Sequence, residues 1–160
     1  GFVAACALRM SGIPKVFFVQ ERMGRGGVPF RLFKFRTMTE KGRGVKQVNS
    51  FAKWIRRYRI DEIPQLINVL RGEMSLIGPR PEIPYFVERS RKLIPFYDIV
   101  FSVRPGLTGW AQVKFRYATS VKDYNKKFRY NLYYLKNVSL LLDVLILLRT
   151  VRTVLLGREK

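Results

Sequence analysis

Asp61 and Glu62 stand side by side in a field of cations, Arg56-Arg57-Tyr58-Arg59-Ile60-Asp61-Glu62-Ile63-Pro64-Gln65-Leu66. They are two of only 11 acidic residues in a chain with 31 Lys and Arg and a net charge of +20. Paired carboxylates among arginines suit phosphoryl transfer, which asks a protein mainly to position the phosphate and neutralise its charge. A carboxylate can also be the nucleophile, forming an acyl phosphate that splits one displacement into two steps. In that scheme Asp61 attacks phosphorus, and neighbouring cations depress its pKa and keep it ionised. Glu62 offers an oxygen to Mg2+, which usually takes one or two carboxylates together with substrate phosphates and water. Lys34, Arg56, Arg80 and Arg104, from four separate motifs, are the candidate phosphate-binding cations. The dipeptide also has an ordinary reading: Asp at a helix N-cap with Glu in the first turn contributes about 1 kcal/mol through the cap alone.

Composition narrows the chemistry further. Histidine is absent and there is one cysteine, Cys6, so a His-dependent triad, a Cys/His zinc cage and an internal disulfide are all excluded. At 160 residues with 48% hydrophobic and 14% aromatic content, the chain is one folding domain and not a disordered tail. The charge calls for a polyanionic partner: nucleic acid, an anionic membrane leaflet or phosphorylated substrates.

The elements that must hold these residues can be read from periodicity. Val16-Phe17-Phe18-Val19-Gln20 and Phe30-Arg31-Leu32-Phe33-Lys34-Phe35-Arg36 read as the strands of a hairpin, turning near Gly24-Arg25-Gly26-Gly27. The stretch 41–48 reads as a loop. Asn49-Ser50 can cap a helix carrying Phe51, Trp54, Ile55 and Tyr58 on one face. Asp61 is the expected N-cap of the next helix, whose apolar stripe is Ile63, Leu66, Ile67 and Leu70 and whose stop is Gly72. Gly78-Pro79-Arg80-Pro81 must be stiff and extended, presenting Arg80. Residues 84–101 contain a mixed helical segment, and 121–135 an amphipathic helix with Tyr124, Phe128, Leu132 and Leu135 on one side. The apolar run 138–148 is interrupted by Asp143 and is shorter than the roughly 20 residues a membrane span needs, so a buried or interfacial helix is expected. The fold class is therefore α/β, mostly helical, with a small antiparallel hairpin or sheet and amphipathic membrane-interface helices.

Several long strings occur here in order: Lys34-Phe35-Arg36-Thr37-Met38, Asp61-Glu62-Ile63-Pro64-Gln65-Leu66-Ile67-Asn68-Val69-Leu70-Arg71-Gly72-Glu73-Met74-Ser75, Gly78-Pro79-Arg80-Pro81-Glu82 and Arg104-Pro105-Gly106-Leu107-Thr108-Gly109-Trp110-Ala111-Gln112-Val113. Together they resemble the bacterial sugar transferase family, the monotopic phosphoglycosyl transferases, from about Val16 to Gly157. The resemblance implies an enzyme that moves a sugar 1-phosphate from a UDP-sugar to polyprenyl phosphate and releases UMP. It implies that Asp61 becomes covalently linked to the phosphosugar, that Asp61 and Glu62 hold Mg2+, and that Lys34, Arg56 and Arg80 bind phosphate. Arg104 and Gln112 carry over to the same role by motif position.

Members of that family enter the membrane through a re-entrant hydrophobic hairpin. Gly1-Phe2-Val3-Ala4-Ala5-Cys6-Ala7-Leu8 resembles its last part, so residues 1–12 are expected to end such a segment and 13–160 to form the catalytic domain. Residues 84–101 and 115–120 resemble the larger members, which begin exopolysaccharide, capsule or O-antigen repeat units. The partners implied are a UDP-sugar, polyprenyl phosphate and the anionic cytoplasmic leaflet of a bacterial inner membrane; a homo-oligomer is compatible, and nucleic acid is not expected. Two rivals stay open on the residues alone: a basic nucleic-acid-binding domain, since +20 with interleaved aromatics is also a phosphate-backbone footprint, and a non-catalytic membrane-surface scaffold.

Overall fold

Alternating aromatic and β-branched residues put Phe17–Met23 (β1) and Pro29–Phe35 (β2) into an antiparallel hairpin, with Phe18 opposite Lys34 and Phe17 opposite Phe35. The computed structural model describes residues 16–41, 45–47, 50–115 and 121–156. The expected segment 1–12, the cap at Asn49 and the stretch 116–120 lie outside the described residues. Part of the expected loop 41–48 is instead strand: Thr39–Lys41 (β3) pairs antiparallel with Val45–Gln47 (β4).

The helices follow. Ser50–Arg57 (α1) buries Ala52 and Ile55, the latter against Phe35 with Phe51 and Ile60 packed around them. Trp54, on the same face, is half exposed; it stacks on Phe51 and meets the Tyr58 ring at a tilt. Gln65–Leu70 (α2) is short and ends at Gly72, whose φ of +74° is the left-handed stop that glycine permits. Ser75–Ile77 (β5) then runs parallel to Gly106–Thr108 (β6). Between them come Pro84–Leu93 (α3) and a 3-10 segment, Tyr97–Ser102, as the mixed helical reading of 84–101 expects. Trp110–Lys114 (α4), Val121–Lys136 (α5) and Leu140–Leu155 (α6) complete the order.

The β5–β6 pairing brings the two Pro/Gly motifs together backbone to backbone. Gly78 N–H donates to the Thr108 carbonyl at 2.9 Å and Gly106 N–H to the Pro79 carbonyl at 2.8 Å. A Cβ at Gly106 would collide with the Gly78 backbone nitrogen, which is why neither chain can carry a side chain there. The next residues are fixed in turn. Glu82 pairs with Arg22 of β1 at 3.9 Å and with Lys127 of α5, and Met23 N–H donates to the Glu82 carbonyl at 2.9 Å. Arg80 is held between these anchors.

The apolar residues divide into small clusters. Ile94, Val100 and Phe128 gather with Tyr124 and Leu132 under α5, as the amphipathic reading of 121–135 requires. Ile77, Tyr134, Leu142 and Ile146 form another beneath α6, where the Tyr134 hydroxyl donates to Asp143 Oδ1 at 3.0 Å. That bond gives the carboxylate inside the apolar run a partner. Much apolar surface stays outside: Leu141 and Leu148 of α6 are 82% and 64% exposed. No described helix is long and apolar enough to cross a membrane.

The α2 helix turns its polar side toward the protein. Its apolar stripe Ile63, Leu66, Ile67 and Leu70 faces outward, Leu70 at 88% exposure, while Gln65 and Asn68 face inward. Polar atoms of the neighbouring hairpin and motif decide this. Asn68, fully buried, accepts from Phe33 N–H at 3.1 Å and donates to the Arg31 carbonyl and to Glu73 Oε2, each at 2.7 Å. These groups would otherwise be left unpaired.

Candidate active site

Asp61 is not the helix cap that its sequence context suggests. Arg59 adopts a left-handed backbone, φ +55°, and turns the chain from α1 into a 3-10 segment, Ile60–Glu62, that contains both carboxylates. The N-cap of α2 is Pro64, and no side chain caps that helix. Asp61 is thereby freed from capping, and among the described residues it has no ion-pair partner.

Glu62 has three. Lys34 Nζ and Arg80 Nη2 both reach Oε1, at 3.2 and 3.1 Å, and Arg59 Nη1 reaches Oε2 at 2.9 Å. Lys34 arrives from β2, Arg80 from the extended Gly-Pro-Arg-Pro segment, Arg59 from the left-handed turn. Burial by itself would raise the Glu62 carboxyl, but Arg80, Lys34 and Arg59 outweigh it and hold the group well below the usual carboxylate range. Asp61 goes the other way. Burial first, then the adjacent Glu62 charge, push its carboxyl up to about 6 against the pull of Lys34 and Arg56. This corrects the expectation that cations depress the Asp61 pKa: three of them are spent on its neighbour.

The other candidates separate. Arg56 is exposed on α1 but close enough to act on Asp61. Arg104 does not join the cluster around Glu62; its guanidinium lies against Gly72 at the far end of α2. Gln112 sits near Glu62 across a cavity, with its amide nitrogen donating to the Leu107 carbonyl at 3.2 Å. Its buried free atom is therefore an acceptor, Oε1, which does not suit an anion such as phosphate. Arg59 is the residue that sequence reasoning missed. A cation three positions ahead of Glu62 is a spacing that pairs on one helical face, and that was the available signal.

Divalent ions such as Mg2+ take oxygen ligands. Asp61, unpaired, and Glu62 Oε2, which binds one cation and keeps lone-pair capacity, fit such an ion as a two-carboxylate site completed by phosphate and water. Among the described residues no third acidic, His or Cys side chain joins them.

The arrangement combines a carboxylate that has no ion pair among the described residues with a guanidinium- and ammonium-lined nest. That is what attack on a phosphorus atom and charge neutralisation of its oxygens require.

Comparison with known proteins points the same way. The family model described as "Bacterial sugar transferase" matches residues 1–157. The chain is 44% identical over 162 residues to the UDP-N-acetylgalactosamine-undecaprenyl-phosphate N-acetylgalactosaminephosphotransferase of Aeromonas hydrophila, covering 96% of this chain and 38% of that protein. It is 42% identical to an uncharacterized sugar transferase of Bacillus subtilis, covering 89% of this chain and 71% of that one. It is 35% identical to the UDP-glucose:undecaprenyl-phosphate glucose-1-phosphate transferase of Escherichia coli K12, covering 92% and 34%. The chain thus spans little more than a third of the Aeromonas and Escherichia proteins.

Proposed function

The chain belongs to the bacterial sugar transferase family, and from that membership we propose that it transfers a sugar 1-phosphate from a UDP-sugar to polyprenyl phosphate, releasing UMP. The observation that carries the proposal is Asp61, a carboxylate with no ion pair among the described residues, beside a nest of cations centred on Glu62.

An Asp61 oxygen attacks the sugar-bearing phosphorus; that P–O bond forms as the bond to UMP breaks, and UMP leaves with the electron pair. A phosphate oxygen of the polyprenyl acceptor then attacks the same phosphorus, and the Asp61 carboxylate leaves, regenerated. Splitting the transfer this way keeps the two bulky substrates from having to bind together. Lys34 and Arg80 hold Glu62 in place and, with Arg56, supply the positive field in which the phosphate oxygens sit. Asp61 and Glu62 would hold Mg2+, which supplies charge neutralisation to the diphosphate.

The outward apolar faces of α2 and α6 support a position at a membrane interface, with the net charge of +20 favouring an anionic, cytoplasmic leaflet. The product fits the first membrane step of exopolysaccharide, capsule or O-antigen repeat-unit assembly.

The test is UMP release from a panel of UDP-sugars with polyprenyl phosphate and Mg2+, followed by intact mass spectrometry without acceptor. A phosphosugar adduct on Asp61, absent in Asp61→Asn, is expected. Turnover that survives Asp61→Asn sinks the proposal.

A further inference from the structure

The two oxygens of Glu62 face different surroundings. Oε1 takes both Lys34 and Arg80, while Oε2 takes Arg59 alone among the described residues. Of these three cations, Arg59 is the one that lines a cavity of about 250 Å3 between α2 and α6, with Glu62 at the same end. The walls are Ile63 just ahead of α2, Leu66 from α2, Leu107 from β6, and Leu147 and Val154 from α6.

The threonine hydroxyls in this wall are bonded within it. Thr150 donates to the Ile146 carbonyl at 2.8 Å and shares a hydrogen bond with Thr108 at 2.8 Å; Thr153 donates to the Arg149 carbonyl at 2.8 Å. The Gln112 amide nitrogen is likewise used, on Leu107. Beyond Tyr58 and the Gln112 Oε1 acceptor the wall offers a nucleoside or sugar few partners for the water it would lose, whereas a hydrocarbon meets a largely apolar surface. Ile63, Leu66 and Leu147 are also partly exposed, which makes the cavity continuous with the outward apolar faces of α2 and α6.

We propose that this cavity takes the first isoprene units of a prenyl monophosphate and that Arg59 binds its phosphate, exchanging Glu62 for the headgroup. The inference rests on the proposed function for the identity of the acceptor. Arg59 suits the exchange on three counts. Its guanidinium can present two parallel N–H donors to a phosphate as it can to a carboxylate. Its departure leaves Glu62 with Lys34 and Arg80, so no buried carboxylate is stranded. And its left-handed backbone is a conformation that a non-glycine residue keeps only where the surroundings impose it, which occurs most at ligand sites.

The experiment measures binding of geranylgeranyl phosphate, geranylgeraniol and methyl phosphate to the purified protein in detergent without divalent ions, with UDP binding measured alongside. Geranylgeranyl phosphate is expected to bind at least tenfold more tightly than either fragment. Arg59→Gln should lose at least tenfold for geranylgeranyl phosphate and Arg59→Lys should recover part of it. Thr153→Trp, which fills the cavity, should weaken both prenyl compounds and spare methyl phosphate. Two results overturn the inference: methyl phosphate binding as tightly as geranylgeranyl phosphate, or Arg59→Gln weakening UDP as much as the prenyl phosphate, which would mark Arg59 as a brace for Glu62 only. Release of UMP from a UDP-sugar needs no acceptor in the first half-reaction. UMP release together with Arg59-independent prenyl binding therefore sinks the inference alone, while no UMP release from any UDP-sugar sinks the proposed function.

Discussion

Lys34 and Glu62, 28 positions apart, meet at 3.2 Å because a third residue fixes the spacing of their elements. Asn68 ties α2 to the backbone of β2 at Arg31 and Phe33, immediately before Lys34. The lysine thereby reaches the last residue of the 3-10 segment that leads into α2.

Removing that tie should therefore cost both stability and activity. Asn68→Ala leaves a buried N–H, a carbonyl and the Glu73 carboxylate without their partner, at about 1–3 kcal/mol for each group stranded. A fall in the denaturation midpoint with no change in its slope is expected, together with a reduced turnover number. A variant as stable as the wild type would show that α2 is held by packing alone.

Asp61 should behave as a residue that costs the fold stability. Its carboxyl is raised from 3.8 to about 6, so between these values the native state holds a proton that the unfolded chain has lost. Stability from this group is thus greatest at low pH and falls as pH rises through about 6. Asp61→Asn is expected to be more stable than wild type at pH 8 in EDTA, by about 1–3 kcal/mol, with the gain vanishing below pH 4. Thermal unfolding across that range checks it; a loss of stability at pH 8 refutes it.

Glu62 has the opposite sign. Its depressed carboxyl contributes stability that is present above about pH 4.5 and lost as pH falls below it. Glu62→Gln leaves Lys34, Arg59 and Arg80 facing one another without the carboxylate that all three contact. A cost of about 2–3 kcal/mol at pH 7 is expected, since these cations are part-exposed and water screens some of their repulsion. The difference from wild type should shrink in acid, which chemical denaturation at pH 7 and pH 3 can measure.

The apolar face of α6 should govern membrane attachment. Leu141→Asp and Leu148→Asp change exposed positions and spare Leu142 and Ile146, which are buried. Each is expected to weaken sedimentation with vesicles containing anionic lipid by about tenfold, the cost of taking a charge into the interface. Raised salt should weaken wild-type binding too, because screening reduces the attraction of a +20 chain for the leaflet. Unchanged partitioning of both variants would place the membrane contact elsewhere.

The hairpin, the α5 helix and the stop at Gly72 were all legible locally, because a period of two, a period of 3.6 and a left-handed glycine are written in neighbouring residues. The strands at 39–47 were not, since short polar strands are formed by their pairing and not by propensity. At the site, Asp61, Glu62, Lys34 and Arg80 could be picked out from residue types and motif order. Arg59 was marked among the neighbouring arginines only by its spacing of three to Glu62, and the left-handed φ angle that sets its direction is not written locally.

What the sequence determined by itself was the chemical inventory: two adjacent carboxylates, an excess of cations, no histidine, and motifs whose order carries the family resemblance. What only the tertiary structure decided was the assignment of partners and faces. The stripe Ile63, Leu66, Ile67 and Leu70 announces an amphipathic helix, but periodicity says only that one face differs from the other. Which face turns inward depended on unpaired backbone groups of β2, some 35 positions away, that Asn68 could satisfy and leucine could not. In the same way three cations converged on Glu62 and none of them formed an ion pair with Asp61, a division of charge set by distances that no local pattern encodes.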